Sequence, residues 1–441
     1  MPQLSLSAKL VYGAGSLGTG LFSSVTGVLL LFYMTQTLGI AAAAAGLALF
    51  MPKAWDILFD PLVGSASDRY RSRWGRRQPF LVVGALLTSI GFGLLFSTPE
   101  LQTPAQRLIY AGVAFFVAMT GYALFCVPYA AMPAEMSHDP NERTAIMSFR
   151  MGFMLAGTMI GSVLGPFIVS SSGGGREGYG AMALWLGGLM CLAMLTTAAC
   201  VQRLPSQEAQ TPSLPLSQQV AGVLAQRDYL FLLMAYVLVL VGNGTMAAAA
   251  PYFVVHVLGR EAGDIGSVFG SLLIAAILVM PLWVWAARRW GKRMAAVASF
   301  AVFGSALLLL SVLGARLSPA GSLTLFALAG VGFAGSQLVP FSLLTDVIQA
   351  DRANTGLHRE GSFTGLFIAG EKTGLALGPL FTGLLLDWGG FVASATAEST
   401  QAEGVSTFIA LAFGALPGLA CFVAAIVLLM RPSLSYQAIQ P

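Results

Sequence analysis

A chain of 441 residues that is 56% hydrophobic and only 10% charged is excluded from the ordinary soluble class, in which charged residues make up about a quarter. There is too little polar surface to cover a water-soluble globule. The net charge of +4 is too small to mark a nucleic-acid-binding surface.

A helix needs about 20 apolar residues to cross the hydrocarbon core. In chain order the sequence supplies twelve such spans, near 13–37, 41–67, 79–97, 108–134, 145–170, 179–201, 229–257, 265–287, 294–315, 321–347, 362–386 and 405–430. Span 1 has no short apolar core followed by a small-residue cleavage site, so it reads as a retained helix rather than a signal peptide. Of the Lys and Arg outside the spans, 16 fall in the two ends and the even-numbered connections. Only 4 (Arg107, Arg176, Arg260, Arg316) fall in the odd-numbered ones. That asymmetry predicts both termini in the cytoplasm. The four cysteines, Cys126, Cys191, Cys200 and Cys421, all lie inside spans without metal-ligand spacing and read as small apolar residues.

Internal symmetry follows from three correspondences. The connection after span 2 reads RWGRR (Arg73–Arg77) and that after span 8 reads RWGKR (Arg289–Arg293). Span 4 carries VPY (Val127–Tyr129) and span 10 VPF (Val339–Phe341). Span 5 carries GSVLGP (Gly161–Pro166) and span 11 GLALGP (Gly374–Pro379). Nearly constant offsets predict two six-helix halves, 1–202 and 228–441, joined by a cytoplasmic linker at 203–227 rich in proline and polar residues. Glycines 157, 161 and 165, and 370, 374 and 378, recur every four residues and predict one smooth face on spans 5 and 11.

Six ionisable residues lie within spans away from the ends: Lys53, Asp56, Asp60, Arg150, Glu371 and Lys372. Each costs about 2.5–3.5 kcal/mol at the bilayer centre on insertion scales, so such a set marks function. At 100° per residue, Lys53, Asp56 and Asp60 share an arc of about 60° on span 2. Two carboxylates one turn apart repel, a neighbouring cation relieves the repulsion, and protonation or a bound cation decides the balance. Arg150 and Lys372, one in each half, are expected as charge partners in a central cavity. Glu371 points about 100° away from Lys372 and is expected in a helix–helix contact. The competing reading is a static salt bridge that pins span 2 to a neighbour.

At these residues the sequence resembles the glycoside–pentoside–hexuronide:cation symporters, the melibiose-permease branch of the major facilitator superfamily. The resemblance runs over essentially the whole chain and is carried by KLVYG (Lys9–Gly13), KAWDILFDPLVG (Lys53–Gly64), RWGRRQPF (Arg73–Phe80), VPYAAMPAEM (Val127–Met136), ERTAIMSFR (Glu142–Arg150), NTGLHREGSF (Asn354–Phe363) and GEKTGLALG (Gly370–Gly378). It implies an all-α major facilitator fold of 12 transmembrane helices in two pseudo-symmetric six-helix bundles. It also implies a cation-coupled symporter of the inner membrane of a bacterial cell.

Carried over, Asp56, Asp60 and Lys53 couple the cation, Arg150 and Lys372 stand near them, and Arg73, Gly75, Arg76 and Arg77 form the gating loop. Gly20, Trp55, Tyr122, Cys126 and Tyr129 are the candidate substrate-facing set. The sugar machinery departs from the pattern: acids on spans 1 and 4 and an aromatic on span 4 align with Gly20, Cys126 and Ala130. Two cation ligands of the melibiose type align with Phe59 and Ala123. Hard cations want several oxygen ligands whereas a proton needs one carboxylate, which favours H+ over Na+, with Na+ at Asp56 and Asp60 as the alternative. The expected substrate is a small glycoside or related organic solute, and the alternative is an amphiphile such as a lysolipid or glycoconjugate. No enzyme activity, cofactor, resident metal or nucleic acid is expected. A non-transporting receptor is the least favoured reading, and the chain is expected to act as a monomer in the bilayer.

Overall fold

The computed structural model describes residues 5–137, 139–200, 222–356, 359–394, 401–402 and 404–430. The expected linker lies outside them up to residue 221. Among the described residues every regular element is helical.

The first half runs α1 (Leu6–Val28), α2 (Leu30–Gln36), α3 (Ala42–Arg69), α4 (Gln78–Phe96), α5 (Pro104–Met136), α6 (Pro140–Met159), α7 (Gly165–Ser171) and α8 (Gly175–Cys200). The second runs α9 (Arg227–Tyr252), α10 (Ile265–Trp290), α11 (Lys292–Leu313), α12 (Pro319–Thr355), α13 (Glu360–Trp388), α14 (Val405–Ala410) and α15 (Leu416–Met430). Local chemistry sets the ends. Ser5 caps α1 by accepting from the Ala8 amide at 3.2 Å. Thr103 and Gln106 form a reciprocal capping box ahead of Pro104. Gly356 closes α12 at φ 67°, where a side chain would be strained.

Among the described residues ten helices are long and apolar enough to cross a membrane, and α1 with α2, bent by 41°, makes an eleventh. The remaining expected span is α13, a helix of 29 residues whose middle holds Glu371 and Lys372, the reason its apolar character falls below that of the others. Spans 5, 7 and 12 contain wide π turns at Ile160–Leu164, Phe253–Val257 and Leu411–Ala415. The first and last are each followed, two residues on, by a proline, Pro166 and Pro417. Proline lacks an amide hydrogen and crowds the carbonyl four residues back, so the preceding turn widens.

By their contacts the described residues form two compact units. One is drawn from Met1–Thr211, Ala247–Gly270 and Pro379–Ile409, the other from Pro212–Met246, Ser271–Gly378 and Ala410–Pro441. Packing therefore groups segments 247–270 and 379–409 with the first sequence half. Within the first unit α1 lies against α6 and α8, α4 against α5 and α8, and α3 against α5. The Thr35 hydroxyl and the Tyr252 hydroxyl, both buried, hydrogen-bond at 2.6 Å.

The glycine stripes do what their spacing predicts. A Cβ on Gly157 would collide with the Leu17 carbonyl and one on Gly161 with the Ser24 hydroxyl, so α1 and span 5 meet backbone to backbone. In the second unit a Cβ on Gly374 would stand 2.8 Å from Leu240 Cβ, and one on Gly378 would overlap the Gly244 backbone. The same device joins α9 to α13.

Candidate functional site

The site begins on α3. Its two prolines, Pro52 and Pro61, bracket Lys53, Asp56 and Asp60 and loosen the backbone ladder around them. Asp56 is only 3% exposed, while Lys53 and Asp60 are half-buried. Lys53 lies within electrostatic reach of Asp56, so a cation and a carboxylate share one face of the helix, as the sequence predicts.

The α5 helix brings three side chains alongside. Tyr122 faces Asp56 and Cys126, hydrogen-bonds the Ser23 hydroxyl at 3.1 Å and stacks on Phe22 with ring centroids 5.0 Å apart. Cys126 follows one turn on, and Tyr129 after it. Tyr129 is 1% exposed, donates to the Tyr12 carbonyl at 2.7 Å and shares a 2.8 Å bond with the Ser16 hydroxyl. Tyr12 in turn donates to the Tyr129 carbonyl at 3.1 Å and stacks on its ring at 4.6 Å. The Arg150 guanidinium, from α6, stands 5.1 Å above the same ring, a cation–π contact that compensates charge without a carboxylate. Lys53, Asp56, Tyr122, Cys126, Tyr129 and Arg150 thus line one continuous strip across α3, α5 and α6.

Two members of the expected substrate-facing set stand elsewhere. Gly20 is buried, and a Cβ there would collide with the Met154 carbonyl. Its bare face is a contact between α1 and α6. Trp55 points about 100° around α3 from Asp56 and stacks on Phe59 at 5.2 Å and Phe116 at 5.5 Å. It flanks the charged face rather than lining it. Lys372 belongs to the second unit, half-buried, with Glu371 beside it.

The connection between α3 and α4 is tied down by charge. Arg76 reaches Glu135 of α5 at 2.6 Å. Arg77 bonds Glu135 through Nε at 3.0 and 3.2 Å, Asp68 at 2.9 Å and the Ser67 hydroxyl at 3.2 Å. Arg77 and Glu135 are 8% and 4% exposed, so this is a buried charge cluster. Gly75, at φ 86°, makes the turn, and the Ser72 hydroxyl donates to its carbonyl at 2.8 Å. Arg73 instead rests over the Trp74 ring at 5.4 Å. In the second half Lys292 pairs with Asp346 at 2.5 Å, so the repeated loop uses a repeated ion pair. Sequence reasoning did not single out Glu135, Ser16, Ser23 or Tyr12. Glu135 and Tyr12 lay within quoted motifs, whereas the serines look like ordinary small residues of a packed helix.

Among the described residues no three His, Cys, Asp or Glu side chains converge as metal ligands. Helices long and apolar enough to span a membrane, a buried charged strip and a charge-clamped loop define a membrane carrier. The family described as MFS/sugar transport protein matches residues 11–435, and the chain belongs to it. It is a cation-coupled secondary transporter, not an enzyme, and a multi-pass inner membrane protein.

The chain is 27% identical to the inner membrane symporter YicJ of Escherichia coli, over 96% of its own length and 91% of that protein's. It is 26% identical to the sphingosine-1-phosphate transporter MFSD2B of Mus musculus, over 98% and 90%. In structure it resembles a D-xylose–proton symporter at a TM-score of 0.68 and 15% identity, covering 96% of both chains. That last likeness bears on the fold alone.

Proposed function

We propose that the protein is a proton-coupled symporter that carries a small glycoside or related organic solute across the inner membrane by alternating access. The observation that carries this reading is Asp56, a carboxylate 3% exposed on a membrane-spanning helix with Lys53 on the same face and Tyr122 facing it. A proton loaded on Asp56 cancels one charge and releases Lys53, and a carrier that moves only when empty or fully loaded needs such a switch. Asp60 is the second carboxylate of the pair, with Arg150 and Lys372 as the further cations. The positions that align with two cation ligands of the melibiose type hold Phe59 and Ala123, which supply no oxygen for Na+. The sugar-transport family supports the solute class.

The test is uptake by the purified protein in proteoliposomes, with a glycoside panel and imposed gradients. Accumulation should follow an inside-alkaline pH gradient and be indifferent to Na+. Uptake driven by Na+ alone, unaffected by pH, would overturn the choice of ion.

A second reading, transport of an amphiphile, is favoured by the loss of acids at Gly20 and Cys126 and of an aromatic at Ala130 and by similarity to a sphingosine-1-phosphate transporter. Uptake of a lysolipid but of no glycoside in the same vesicles would select it.

A further inference from the structure

The second unit contains polar groups whose burial has no structural return. Asn243 on α9 is 5% exposed and Tyr236 on the same helix is 0% exposed. The Asn243 amide oxygen and nitrogen are buried without a hydrogen-bond partner among the described residues, and the Tyr236 hydroxyl, equally buried, faces the Glu371 carboxylate. Seven residues apart, Asn243 and Tyr236 lie within about 20° of each other around α9 and about 10 Å apart along it.

The surroundings show which way the face looks. The Tyr236 ring stacks on Phe367 of α13 at 4.4 Å, parallel to within 1°, and meets Phe341 of α12 edge-on at 5.7 Å. Glu371, one turn beyond Phe367 on α13, lies beside Tyr236. The α9–α13 seam of Gly374 and Gly378 brings the two backbones close enough for both helices to serve one ligand. A donor and acceptor amide, a phenol and a carboxylate therefore stand along the face that α9 and α13 share, beside aromatic rings.

Unsatisfied buried polar atoms are costly and rare in folded proteins, and a partner that comes and goes is a reason to keep them. Aromatic walls with several fixed hydrogen-bonding groups suit a ligand with apolar ring faces and hydroxyl edges. A two-ring molecule also spans the distance from Tyr236 to Asn243. We infer that Asn243, Tyr236 and Glu371 form the hydroxyl-recognition subsite of this carrier, so that polar contacts absent at Gly20 and Cys126 are supplied by α9 and α13 instead. The inference rests on the proposed glycoside reading and adds where specificity resides.

The experiment uses the full-length protein in detergent, with nitrophenyl glycosides and their single-deoxy analogues as probes and lysophosphatidylcholine as the amphiphile. Binding is read by calorimetry and stability by thermal unfolding without ligand. Tyr236→Phe and Asn243→Leu should each weaken glycoside binding about tenfold or more, and each variant should be indifferent to loss of the one hydroxyl it recognises. Asn243→Leu should also unfold at a temperature equal to or above that of the parent, because an unpaired buried polar group has gone. Unchanged glycoside affinity in both variants, or weaker binding that comes with a lower unfolding temperature and no selectivity among the deoxy analogues, would overturn the subsite and leave the transport reading standing. If the parent binds lysophosphatidylcholine and no glycoside, the glycoside reading fails and the subsite with it.

Discussion

Asp56 and Glu135 are both buried carboxylates, yet they answer to different physics. Glu135 is held by Arg76 and Arg77, and removing its charge leaves two guanidinium groups facing a neutral partner. Breaking such a buried pair costs about 3–5 kcal/mol, so Glu135→Gln should lower the unfolding temperature in detergent markedly; an unshifted melting curve would show the cluster to be energetically idle. Asp56 stands beside Lys53 in a strip that also contains Tyr122 and Arg150. Asp56→Asn keeps the volume and removes the titrating charge. The variant should fold, lose gradient-driven accumulation, and retain exchange of substrate across a membrane without a gradient, since exchange does not require proton release. Loss of exchange together with accumulation would mean that Asp56 holds substrate or structure rather than the coupling ion.

The helices show what a sequence makes legible. Charge on an apolar segment is conspicuous, so the shared face of Lys53, Asp56 and Asp60 could be read from spacing alone, and so could the glycine stripes of spans 5 and 11. Gly20 against Met154 and Trp55 against Phe59 and Phe116 were not legible, because alignment to a pattern reports a position along a helix and not the neighbour that occupies its face. Tyr236 and Asn243 gave no signal, since a tyrosine or asparagine in a long apolar helix looks the same whether or not its polar atoms find partners. The π turns ahead of Pro166 and Pro417 were likewise hidden: the proline is visible, but whether a helix kinks or widens depends on its packing. The stripe itself is testable within one span. Gly157→Leu would drive a side chain into the Leu17 backbone and should destabilise by about 1–3 kcal/mol or more. Gly152→Leu on the same helix has nothing within 4 Å of its Cβ and should be tolerated. Equal melting temperatures for the two variants would refute the close approach of α1 and span 5.

At the scale of the whole molecule, the connections fix which way the chain crosses the bilayer, while in a symporter the ion gradient fixes the direction of work. The hydrophobic spans are nearly indifferent to which way they cross the bilayer; the connections are not. Sixteen basic residues in the two ends and even-numbered connections against four in the others bias insertion toward basic loops that stay inside. The charge clamps reinforce that bias after folding, because Arg76 and Arg77 with Glu135, and Lys292 with Asp346, tie the RWGRR and RWGKR loops to the ends of neighbouring helices. A proton gradient directed inward loads Asp56 from outside and drives uptake, and the orientation fixes which end of the carrier opens to that side. Single cysteines introduced in a cysteine-free background decide the matter. Trp74→Cys and Gly291→Cys should react with a membrane-impermeant maleimide only in inside-out vesicles, whereas Glu100→Cys and Glu261→Cys should react only in right-side-out ones. The reverse labelling would place the basic loops outside, and labelling of one loop from each side would contradict the six-helix repeat on which the orientation depends.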